Sequence, residues 1–254
     1  MLSPDFDYSP LITAIVFVLL ALALVINAMV KDRKEFRRFT RLRSSIKRRR
    51  TMRKWVLQSF VFFGGAAVVV LVLCWQYVSL VLSELGGIRV IHDARDFLVT
   101  HLIVVIAIGF ALITGAVLGI VAARRETDLP SIGDVQAMLP RNRAELKWGA
   151  LLSINAGVVE ELLFRLGMPA LVFGFTGNAL VACIVSVLVF GALHAYQGIA
   201  GVIGATIIGA VFMAIYVLSS SIVLVIVLHA LFDLRTLVLI PIVVKKVHRV
   251  GSPQ

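Results

Sequence analysis

Six ionisable side chains in the second half of this 254-residue chain, with Arg235 close after the last, lie inside stretches that are otherwise apolar: Glu160, Glu161, Arg165, His194, His229 and Asp233. An ionised group at the centre of a bilayer costs roughly 2.5–3.5 kcal/mol on insertion scales, so such residues are read first as candidates for chemistry. Spacing sorts them. Residues four apart on a helix share a face, whereas neighbours diverge by about 100°. Glu161 and Arg165 therefore form a same-face pair, acid before base, whose mutual neutralisation makes both tolerable at depth and gives them a supporting role. Glu160 points elsewhere, with no charge partner in its own helix. That suits a carboxyl for general acid and base work near neutral pH. His194 shares a face with Phe190, and His229 shares one with Asp233.

Two histidines and an unpaired Glu on three different helices can converge on one water molecule. In one arrangement, the Glu and one His activate that water against a peptide carbonyl while the second His, with a hydrogen-bonding neighbour, steadies the tetrahedral oxyanion. In another, Glu160, His194 and His229 bind zinc. Spacing leaves both open. Asp233 also has two readings, a protonated carboxyl that donates a hydrogen bond or an ionised one that orients His229. Other hydrolytic designs leave no trace: there is no H-E-x-x-H, no glycine-flanked Ser with a matching His, and no Asp pair inside the apolar stretches.

The elements that must position these residues are transmembrane helices. Of the residues 60% are hydrophobic and only 15% charged, and the mean hydropathy is +0.99, which excludes a soluble globular protein. At roughly 20 residues per crossing of a hydrocarbon core about 30 Å thick, the apolar stretches 11–30, 55–82, 97–122, 149–173, 178–196, 199–218 and 222–244 read as spans of an all-α polytopic bundle. Cys74 and Cys183 fall inside these stretches and read as small lipid-phase residues rather than a disulfide framework. Gly115 and Gly119, and Gly201, Gly204, Ala205 and Gly209, are spaced for close helix contact.

Charge sets the expected orientation. The net charge is +11, yet 13 of the 25 Lys and Arg fall between residues 31 and 54, opposed there only by Asp32 and Glu35. A basic block between two apolar spans retains a cytoplasmic loop and attracts anionic lipid headgroups. Nucleic acid is not an expected partner, because the block lacks a recognisable binding module. The first apolar stretch follows Asp5 and Asp7 and precedes the basic residues, the reverse of a signal peptide, so an uncleaved helix with its amino terminus outside is expected. The carboxyl terminus is then cytoplasmic. The expected organisation is three N-terminal helices with the basic loop over 1–123, an interfacial connection over 124–147 containing Pro130 and Pro140, a catalytic helical core over 148–245 and a tail over 246–254.

Three short strings carry a resemblance. Glu160-Glu161-Leu-Leu-Phe-Arg165 is similar to EExxxR, Phe190-Gly-Ala-Leu-His194 to FxxxH, and His229-Ala-Leu-Phe-Asp233 to HxxxN/D. In order, each inside its own apolar stretch, they resemble the CPBP family of intramembrane proteases, which includes type II CAAX prenyl endopeptidases and bacteriocin-processing or self-immunity proteins. The resemblance covers roughly residues 145–245 and implies a helical active site inside the bundle, with Glu160 and His194 on the hydrolytic water, His229 and Asp233 at the oxyanion, and Glu161, Arg165 and Phe190 in support. It fits a glutamate-dependent hydrolysis without metal, the favoured reading, and also a zinc enzyme. The implied partners are membrane lipids and a membrane-associated peptide or protein substrate, and the implied location is the cell membrane. The competing readings are a catalytically silent scaffold or immunity-type binding protein of the same fold, and a proton-coupled transporter, which the lack of an internal repeat disfavours. One tension concerns depth. Glu160 falls deep in its stretch and His194 near the end of its own, as if the fourth helix began before the bilayer.

Overall fold

The computed structural model describes residues 2–101 and 135–251, which are helical, with no β-strand among them. In chain order the helices are α1 (Ser9–Thr40) and α2 (Ser45–Gly86), the short α3 (Arg89–Thr100), α4 over 143–176, α5 (Ala179–Leu193), α6 (Gly198–Ser219) and α7 (Ile222–Val243). Among the described residues four stretches are long and apolar enough to cross a membrane: α1, α2, α7 and Ala179–Ser219. The last folds back at the turn His194–Gln197, where Gly198 takes the left-handed φ of +82°. The third predicted span, from residue 102 onward, lies outside the described residues. So do Gly115, Gly119, Pro130 and the connection up to residue 134.

Helix starts follow local chemistry. Asn142, Asn178 and Ser221 each accept a backbone N–H three residues on, at 3.1, 2.9 and 3.2 Å, and so cap α4, α5 and α7. α4 closes at Gly177, whose φ of +63° suits a residue without Cβ. At about 1.5 Å per residue α4 is a rod of roughly 50 Å, well beyond the bilayer core. It begins at Arg143, ahead of the apolar stretch.

α4 is the central element, packed by α1, α2, α5 and α7. Leu163, Phe164 and Met168 of α4 pack in one buried cluster with Leu24 and Ala28 of α1 and Phe190 of α5. Large apolar side chains such as Leu19, Val61 and Ile199 instead face outward, as they would towards lipid.

The basic block is not the loop expected over 31–54. α1 runs on to Thr40, a turn occupies 41–44, and α2 starts at Ser45. Arg, Lys and Glu are good helix formers, and Phe36 and Phe39, one turn apart, are both buried against the bundle. One of the basic residues has a purely internal task. The Arg48 guanidinium is fully buried, donates to Glu145 Oε2 at 3.0 Å and to the carbonyls of Ala137 and Leu139 at 3.1 Å each, and lies 4.2 Å over the Phe39 ring. It ties the foot of α2 to the first turn of α4.

Candidate active site

The site is built on the middle of α4, where the helix changes pitch. Leu162–Gly167 is a π-helical turn that follows Glu160 and Glu161 and contains Arg165. Pro169, just beyond, has no N–H to donate, so in the wider i→i−5 pairing the carbonyl of Phe164 loses its partner. Ser186 supplies one. Its buried hydroxyl donates to that carbonyl at 2.6 Å, which sets the register of α5 against α4. Ser186, Phe190 and His194 lie at successive i, i+4 positions on the same face of α5, so this bond also fixes the height of the histidine.

Phe190 is the apolar hub. Its ring lies 5.3 Å from Phe164, 4.9 Å from His194, 6.4 Å from His229 and 5.3 Å from the Arg165 guanidinium. Gly209 of α6 makes the room, because a Cβ there would stand 2.8 Å from the ring.

α7 approaches α4 from the other side. A Cβ on Gly157 would meet the Ala230 nitrogen at 2.9 Å and the Ala230 Cβ and Ile226 carbonyl at 3.0 Å, so the two backbones touch. One turn further on, Glu161 Oε1 lies 2.6 Å from His229 Nδ1. The same carboxylate holds Arg165, which donates from Nη2 to Oε1 at 3.2 Å and brings Nε to 2.9 Å from Oε2. That second approach has ion-pair distance without hydrogen-bond alignment, and Arg165 Nη1 finds no acceptor among the described residues. All three side chains are buried. Gly157→Val is expected to force α4 and α7 apart, costing about 1–3 kcal/mol in thermal unfolding and lowering any turnover with it. A variant with unchanged stability and activity would contradict this dependence on close approach.

The adjacent carboxyl has a different environment. Glu160 is half-buried and makes no hydrogen bond or ion pair among the described residues, although it lies within electrostatic range of His229 and Asp233. His194, also half-buried, opens the turn after α5. Its Nδ1 lies 3.0 Å from the Phe190 carbonyl oxygen, an acceptor only, so Nδ1 carries the proton and Nε2 keeps its lone pair. Asp233 is half-buried with its Oδ2 3.8 Å from His229 Nε2, too far for a hydrogen bond. His229 is thus held by Glu161, while Asp233 stands near its other nitrogen.

Two residues beyond His194, Tyr196 is a site neighbour that spacing did not single out. Its ring stacks 6.1 Å from His194, its hydroxyl accepts from Gln197 Nε2 at 2.8 Å, and Glu160 and Asp233 are within its electrostatic range. The hydroxyl proton is left to donate. Its only signal in the sequence is its closeness to the FxxxH string.

A zinc site needs three converging donors. Among the described residues no group of three His, Cys, Asp or Glu side chains comes together to hold a metal ion. His229 Nδ1 is engaged by Glu161.

Residues 142–235 match the family model described as type II CAAX prenyl endopeptidase Rce1-like. No curated protein and no solved structure matches the chain. The matched segment begins at the Asn142 cap and ends two residues past Asp233, so it encloses α4, α5, α6 and the part of α7 that carries the site. Of the four membrane-competent helices among the described residues, α1 and α2 precede the matched segment and the other two lie within or overlap it, as befits an integral membrane protein. The match over residues 142–235 agrees with the CPBP family that the three motifs resemble.

Proposed function

We propose that this protein is an intramembrane endopeptidase that hydrolyses peptide bonds of membrane-associated substrates with a water activated by Glu160 and His194. The observation that carries the reading is the divergence of two adjacent carboxyls. Glu161 is locked between Arg165 and His229, while Glu160 is half-buried and unbonded among the described residues, within electrostatic range of His229 and Asp233.

A water at this position donates one proton towards the Glu160 carboxylate and the other towards His194 Nε2. As Glu160 takes its proton, the water oxygen adds to the carbonyl carbon of the scissile bond. The oxyanion is met by His229 Nε2–H, which is available when the ring is doubly protonated, with Glu161 balancing its charge through Nδ1. A protonated Asp233, or the Tyr196 hydroxyl, provides a second donor. The C–N bond then breaks and Glu160 returns its proton to the leaving amine. Proton and bond counts balance without a metal.

The basic ends of α1 and α2 are proposed to face the cytoplasm and the amino terminus to lie outside, in the cell membrane, with the site opening towards the cytoplasmic side. Purified full-length protein offered a quenched peptide library that includes a prenylated CAAX peptide tests the activity, with products mapped by mass spectrometry. Defined cleavage is expected. A folded protein that cleaves nothing, while its cellular phenotype survives Glu160→Ala with His194→Ala, would overturn the protease reading in favour of a silent binding protein.

A further inference from the structure

The polar end of α1 has a feature unrelated to hydrolysis. Arg33, Lys34, Arg37, Arg38 and Arg41 line a groove of about 510 Å³ on one exposed face of the helix. No carboxylate lines it, and the two acids of the block are occupied elsewhere. Glu35 receives Lys54 at 2.6 Å and Trp55 at 2.9 Å, and Asp32 receives Asn27 at 3.1 Å. The opposite face of the same helix is anchored by buried Phe36 and Phe39, the latter 4.7 Å from Trp55, so the five cations are presented outward.

The two other lining residues are Met29 and Val30, both exposed, and they continue into the outward apolar face of α1 through Ile26, Leu22 and Leu19. The groove thus has a cationic floor at one end and a hydrocarbon edge at the other. A free anion would use only the first. We infer that this groove is a binding site for the headgroup of an anionic phospholipid, with the phosphate among the guanidinium groups and the acyl chains along Met29, Val30 and the face below them. Its size suits a headgroup. The site is separate from Glu160 and stands whether or not the chain is a protease.

The test uses the full-length protein in zwitterionic detergent, titrated with phosphatidylglycerol or with phosphatidylcholine of the same chains, bound lipid being read by native mass spectrometry. Wild type is expected to prefer the anionic lipid by about tenfold or more. Arg33→Gln/Arg37→Gln/Arg41→Gln should abolish that preference. Lys47→Gln/Arg50→Gln/Arg53→Gln, which removes equal charge from exposed positions outside the groove, should retain it. Equal loss in the two triple variants would overturn a defined site in favour of diffuse attraction, as would wild type that does not distinguish the two lipids. Displacement of the lipid by an equal concentration of inorganic phosphate would overturn the lipid assignment in favour of a free anion. Lipid-free thermal unfolding checks that the variants fold. If the groove triple does not, Arg37→Gln/Arg38→Gln carries the same comparison, and full retention of the preference there would also contradict the site.

Discussion

Glu160→Gln is expected to lower the rate of peptide cleavage by about 10²- to 10⁴-fold, the range in which a positioned general acid–base group contributes, while leaving the fold intact. The substitution keeps size and shape and removes only the capacity to take and return a proton. Because Glu160 makes no hydrogen bond or ion pair among the described residues, no structural partner is lost. His194→Gln should cost a comparable factor. If both residues hold one water, the double variant should be little worse than either single one, since groups that act as a unit are not additive. Rates for the two single variants and the double, measured on folded protein, check this. A Glu160→Gln protein with full activity would end the mechanism, and a double variant whose losses multiply would separate the two residues into different steps.

Glu161→Gln is expected to have the largest effect on stability, about 3–5 kcal/mol, because it strands the buried Arg165 guanidinium. It also removes the carboxylate that holds His229 Nδ1. A second variant separates the two consequences. Glu161→Leu/Arg165→Leu replaces the ion pair with apolar side chains, and such replacements often cost little stability, so this protein should unfold near the wild-type temperature. Cleavage should nevertheless stay lost, because His229 has no partner to orient it. A stable and fully active double variant would show that the Glu161–His229 bond does not serve the reaction. Recovery of neither stability nor activity would place the whole role of the network in folding.

The parts of this site legible in the sequence were those that depend on spacing within one helix. Glu161 before Arg165, Phe190 before His194 and His229 before Asp233 each define a face at four-residue intervals, and neighbouring Glu160 necessarily leaves the face of Glu161. Spacing names a face, but it does not say what that face meets. The Glu161–His229 bond joins residues 68 apart in the chain and the Arg48–Glu145 bond residues 97 apart. Their only trace is indirect, in Gly157 and Ala230 where α4 and α7 touch, and in a Glu three residues after a capping Asn. The charge of the basic block favours a loop. Its helix propensity and the Phe36–Phe39 stripe carried the conformation. The π turn also had a local signal, Pro169, but the hydroxyl that satisfies the freed carbonyl comes from Ser186 on the next helix.

The most direct measurement is cleavage of the peptide library by purified wild-type protein with and without a zinc chelator, alongside Glu160→Gln. Cleavage that persists in chelator and vanishes in the variant is the expected result. Cleavage lost in chelator and restored by zinc would contradict the metal-free step, and activity retained by Glu160→Gln would contradict the assignment of the water to this carboxyl.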